Sequence, residues 1–71
     1  MKKVRINTEF ITLGQFLKME NFISSGGEAK FYLASNEVYV NDELEQRRGR
    51  KLYPGMIVKL ESQSFVIEDV K

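Results

Sequence analysis

Ser24-Ser25-Gly26-Gly27-Glu28-Ala29-Lys30-Phe31-Tyr32-Leu33-Ala34-Ser35-Asn36-Glu37-Val38-Tyr39-Val40-Asn41-Asp42 is the stretch that decides the fold. Ser25 and Glu28 have the spacing of a capping box, in which a serine hydroxyl and a glutamate carboxylate each satisfy an orphan amide of a helix's first turn. On a helical projection Ala29, Tyr32, Leu33 and Asn36 share one side, while Gly27, Lys30, Phe31 and Ala34 point the other way. Asn36-Glu37 ends that helix. Val38-Tyr39-Val40 is rich in β-formers, and Asn41-Asp42 tolerates the positive φ of a tight hairpin turn. A short helix therefore passes directly into a hairpin.

The flanks extend this pattern. Upstream, Thr12 and Gln15 give a second capping-box spacing, and Ile11 can pack on Phe16 as a hydrophobic staple. Leu13, Phe16 and Leu17 form the inner face of a first helix, which Gly14 weakens unless packing holds it. Val4-Arg5-Ile6 reads as a short opening strand. Downstream, Leu44 begins the return strand of the hairpin, and Tyr53-Pro54-Gly55-Met56 has proline and glycine in the central places of a type II turn. Met56 to Leu60 alternates, Ser62-Gln63 turns the chain, and Phe65-Val66-Ile67 supplies the last strand. The expectation is one α+β domain over residues 1–71, with two short helices packed on a small, mostly antiparallel sheet.

Composition narrows the chemistry. The 71 residues include no cysteine and no histidine, which removes disulfides, thiolate chemistry, cysteine-ligated zinc and the commonest general base near neutral pH. A domain this small buries only about 60% of its unfolded surface, so its apolar side chains are committed to the core and few remain to enclose a substrate. Neither Asp42-Glu43 nor Glu68-Asp69 comes with a nucleophile or metal-binding pattern. The expectation is a non-catalytic protein with no cofactor, metal or small-molecule substrate. No apolar run reaches the ~18 residues of a membrane span, and Met1-Lys2-Lys3 does not open a signal peptide, so the expected location is cytoplasmic.

Net charge is only +1, but its distribution is uneven. Arg47, Arg48, Arg50 and Lys51 surround Gly49, and Lys2, Lys3 and Arg5 make a smaller group. Guanidinium forks suit the closely spaced oxygens of a polyanion, and Gly49 would let the backbone bend between them. The same run reads equally as a solvated turn balanced by Asp42, Glu43 and Glu45. The Ser25-Gly26-Gly27 helix start offers exposed amides to an anion, although capping alone explains it. Lys30 works against the helix dipole there, and a phosphate would compensate it. Phe31 beside Lys30 can stack on an unpaired base, or can cover the rim of the core.

Taken together, these segments resemble a known family. Two short helices, Val38-Tyr39-Val40-Asn41 and Leu52-Tyr53-Pro54-Gly55-Met56-Ile57 resemble the RNA-binding domain named after ribosomal small-subunit protein four. Ser25-Gly26-Gly27-Glu28-Ala29-Lys30 with Arg47-Arg48-Gly49-Arg50-Lys51-Leu52 is similar to its stand-alone bacterial YaaA-type branch. The resemblance spans about residues 10 to 60. It implies a helix-pair-on-sheet fold that recognises structured RNA, ribosomal or transfer RNA among them, and association with the ribosome. It also implies contacts by Lys18, Lys30, Arg47, Arg48, Arg50 and Lys51. Where many members carry arginines at the two helix starts, this chain has Ile11 or Thr12 and Gly26, which shifts weight onto the Arg47–Lys51 segment. Asp42 replaces a usual turn glycine, and Met56 a usual aspartate.

The reading from sequence is thus a monomeric, non-catalytic RNA-binding module that selects RNA by shape, with Asn36, Asn41 and Gln46 as the few side chains suited to base edges. Two other readings stand beside it: an adaptor docking on an acidic protein, and a DNA binder.

Overall fold

The computed structural model describes residues 1–70. The elements run β1 (Lys2–Ile6), β2 (Ile11–Thr12), α1 (Leu13–Met19), a 3-10 turn (Gly26–Glu28), α2 (Ala29–Ser35), β3 (Val38–Val40), β4 (Glu43–Leu44), β5 (Lys51–Leu52), β6 (Ile57–Leu60) and β7 (Gln63–Asp69). The main sheet has the order β1-β7-β6-β3-β4, and a second sheet pairs β2 with β5. Every pairing is antiparallel except that of β1 with β7, which joins the two ends of the chain in parallel. The α+β expectation holds.

Local chemistry explains most boundaries. Thr12 caps α1 as read from its spacing: its hydroxyl accepts from the Gln15 N–H at 3.2 Å, and the Gln15 amide oxygen accepts from the Thr12 N–H at 2.8 Å. Asn41 and Asp42 take φ of 49° and 67°, the two left-handed positions of the β3–β4 hairpin. Gly55 has φ 95°, and the Met56 N–H donates to the Tyr53 carbonyl at 3.1 Å, which closes the type II turn. Leu13, Phe16 and Leu17 from α1 and Ala29 and Leu33 from α2 meet Val38, Val40, Val58, Phe65 and Ile67 of the sheet in one buried cluster. Phe16 and Phe65 pack edge to face with ring centres 5.1 Å apart.

Two expectations need correction, and one element was not foreseen. The chain reverses at Glu61-Ser62, with φ of 48° and 63°, one residue before the expected Ser62-Gln63; Gln63 already pairs with Leu60. Ser25 does not cap an α-helix. A 3-10 turn intervenes, and the Glu28 carboxylate accepts from the Ser24 N–H at 3.2 Å and the Ser25 hydroxyl at 3.5 Å. The β2–β5 pair had no signal at all in sequence periodicity, because each strand is two residues long.

Candidate nucleic-acid interface

The unforeseen small sheet is what positions the basic segment. Thr12 pairs with Lys51 and Ile11 with Leu52, so the run 47–51 leads directly into the start of α1. The first turn of any helix has amides without intrahelical partners. Here the Leu13 N–H donates to the Arg50 carbonyl at 2.8 Å and the Gly14 N–H to the Arg48 carbonyl at 2.9 Å. A Cβ on Gly14 would lie 3.4 Å from that Arg48 oxygen, so the close approach of loop to helix favours glycine. The packing that Gly14 requires of its surroundings comes from the basic loop itself.

The other anchor is Glu45, a charged residue buried at 5% exposure. Its N–H donates to the Val38 carbonyl at 2.8 Å, which prolongs the hairpin beyond β4 and carries its side chain inward. The carboxylate accepts from the Gln46 and Arg47 amides at 3.1 Å each. It also accepts from Arg47 Nε at 3.0 Å, Arg47 Nη2 at 3.2 Å and Arg50 Nη1 at 2.8 Å. Hydrogen bonding from Arg47, with Arg50 assisting, outweighs burial and pulls the Glu45 carboxyl from 4.5 down to about 2. The same bond raises the Arg47 guanidinium above its ordinary value.

This corrects part of the sequence reading. Arg47 and Arg50 are tied to a neighbouring carboxylate, in keeping with the balanced-turn alternative, though by Glu45 alone: Asp42 pairs with Lys59 at 3.0 Å. Among the described residues Arg48 makes no ion pair, and the Lys51 ammonium sits 5.0 Å from the centre of the Phe10 ring, a cation–π contact. One carboxylate against four cations leaves the segment strongly positive. Arg47 keeps a largely exposed side chain with N–H groups that Glu45 does not use.

Lys18 and Lys30 are exposed and also lack ion pairs among the described residues. Lys18 follows Gly14 by four residues on α1, so it continues the face against which Arg48 lies. Thr12, Gly14, Gln15, Gly26, Ala29, Arg48 and Gly49 line one shallow groove; Arg47, Gly49, Arg50, Lys51, Tyr53 and Met56 line another. Gly49 lines both, so the basic loop borders the two grooves. Around Gly26 and Gly27 no atom lies within 4 Å of where a Cβ would stand, so this rim is open.

Elsewhere among the described residues the basic side chains are paired. Lys2 pairs with Glu20 at 2.7 Å, and Lys3 and Arg5 share Glu68 at 3.8 Å. The concavity lined by Asn36, Glu37, Tyr39, Lys59, Glu61 and Ser62 carries carboxylates, and its lysine is held by Asp42. Two of the side chains picked for base reading are committed as well. The Asn36 amide donates to the Tyr32 carbonyl at 3.0 Å, and Asn41 Oδ1 accepts from the Ile57 N–H at 2.9 Å. Phe31 does not cover the core rim; it is 72% exposed. Sequence reasoning missed Glu45 as the organiser, and its only signal was a carboxylate two and five residues before arginines.

Residues 4–68 match a family model described as S4 domain. The chain is also similar to a Bacillus subtilis (strain 168) protein named "Probable ribosome maturation protein RlbA". The two are 59% identical over 58 residues, covering 82% of each chain.

Proposed function

The chain belongs to the S4 domain family, and on that premise we propose that it is a monomeric, non-catalytic module that binds structured RNA, acting in the cytoplasm in assembly of the ribosome. The observation that carries this reading is a set of cations that have no carboxylate partner among the described residues. Arg48 lines a groove with Gly14, Gly26 and Gly49, Lys51 lines the neighbouring groove that shares Gly49, and Lys18 and Lys30 stand exposed on α1 and α2, whose first residues border the former. Phosphate oxygens are the ligand such a surface suits, because they come closely spaced and need no deep pocket. Arg47 and Arg50 have a double role, bracing the loop on Glu45 and offering their remaining N–H groups outward. Ser25, Gly26 and Gly27 form the low rim that lets a backbone pass, with Glu28 already occupying the Ser24 amide.

Selection is by shape. With Asn36 and Asn41 engaged by backbone, Gln46 alone is left of the side chains suited to base edges. The relative's name bears on the process, since ribosome maturation is work done on folded ribosomal RNA. The test compares a folded ribosomal or transfer RNA with single-stranded RNA and duplex DNA of equal length. The folded RNA should bind most tightly. Equal, weak binding to all three would leave nonspecific charge attraction only, and would favour an adaptor for an acidic protein.

A further inference from the structure

Phe31 is the large hydrophobic side chain the fold leaves most exposed. The other four phenylalanines each lie against another aromatic ring: Phe10 on Tyr53, and Phe16, Phe22 and Phe65 on one another. Phe31 has no ring partner. A helical side chain leans over the turn before it, and the residue four positions back is Gly27, where a Cβ would meet nothing within 4 Å. Three and four residues ahead stand Ala34 and Ser35, both small and exposed. The ring is therefore flanked along α2 by residues that leave its faces clear.

Its electrostatic surroundings favour one kind of occupant. Lys30 is the adjacent residue and has no acidic partner among the described residues, and Gly26, four residues before it, lines the groove shared with Arg48. The single acid within a turn, Glu28, is folded back onto Ser24 and Ser25. An aromatic face beside free cations matches a nucleotide, whose base stacks while its phosphates meet the charges.

We propose that Phe31 is a stacking platform for an unpaired base, so that the RNA recognised is a helix interrupted by a bulged or looped-out nucleotide. This rests on the RNA-binding reading above and adds the structural class of the target. The probes are a short RNA hairpin with a single-nucleotide bulge carrying 2-aminopurine, and the same hairpin fully paired. The protein should prefer the bulged hairpin about 10-fold, as one base stacked on an aromatic side chain implies, and should quench the 2-aminopurine. Phe31→Ala, folded by circular dichroism as an exposed position requires, should abolish preference and quenching. Its affinity for the paired hairpin and its salt dependence should not change. Phe31→Tyr should retain the preference and Phe31→Leu lose it.

Equal binding of both hairpins by the unaltered protein overturns the stacking role and leaves the phosphate reading intact, as does a Phe31→Leu variant that keeps the preference. A Phe31 that serves as an anchor for a protein partner gives the first of these results. Failure to bind either hairpin at low salt overturns both readings together.

Discussion

Lys3 and Arg5 share Glu68, and Arg47 and Arg50 share Glu45, yet the two arrangements are physically unlike. On β1 the contacts are 3.8 Å long and the basic side chains more than 60% exposed. Water screens such pairs, and they contribute about 0–1 kcal/mol. At Glu45 the distances are 3.0 and 2.8 Å, the carboxylate is buried, and two backbone amides join the bond set. One cluster is neutralised surface. The other is a fixed scaffold that holds additional cations, Arg48 and Lys51, away from any acid. Local charge density in the sequence is similar in both; the position of the carboxylate separates them.

The strongest way to break this comparison is to remove the basic residues on each side of it. Arg47→Ala with Arg50→Ala strands the Glu45 carboxylate in a buried position, which should cost about 3 kcal/mol. A domain of this size has little more than that to spare. Adding Glu45→Gln should restore part of the loss, because the amide oxygen still accepts from the backbone. Lys3→Ala with Arg5→Ala should shift the urea midpoint only slightly. Equal losses from the two double variants would erase the distinction.

Acid provides a smaller, sharper probe. The Glu45 carboxyl is held down at about 2 against 4.5 when unfolded, so it binds fewer protons folded than unfolded across that interval. Its stabilisation is complete above about pH 4.5 and disappears as the pH falls towards 2. Allowing for screening at the loop's outer face, the loss should be about 2 kcal/mol. Subtracting the same titration of a Glu45→Gln variant isolates it from the other carboxylates. A difference that does not change between pH 5 and pH 2 would mean that Glu45 is not clamped.

Much of the fold was legible because its elements announce themselves locally. The Thr12–Gln15 cap, the Asn41-Asp42 hairpin and the Pro54-Gly55 turn each depend on residues within three positions of one another. Illegible features were those settled by distant partners. The β2–β5 ladder joins residues 41 and 39 positions apart, and the Glu61-Ser62 reversal uses two residues with no special liking for positive φ. The candidate site divides the same way. Cation clustering at 47–51 was plain, whereas the helical projection left Phe31 open between an outward face and the rim of the core, and the structure decides for the former. Which acid among Asp42, Glu43 and Glu45 turns inward depends on hairpin register, and that register decides which arginines are free.

The central claim is that RNA phosphates are met by the unpaired cations and not by basic residues in general. It is tested by the salt dependence of binding to one folded RNA, measured for the unaltered protein, Arg48→Ala/Lys51→Ala and Lys3→Ala/Arg5→Ala, whose two variants change net charge equally. With four or five phosphates neutralised, log K against log salt should have a slope of about −3 to −4. The Arg48/Lys51 variant should be shallower by about 2, while the Lys3/Arg5 variant keeps the original slope. Equal flattening in both variants, or a flat response from the unaltered protein, would contradict the account.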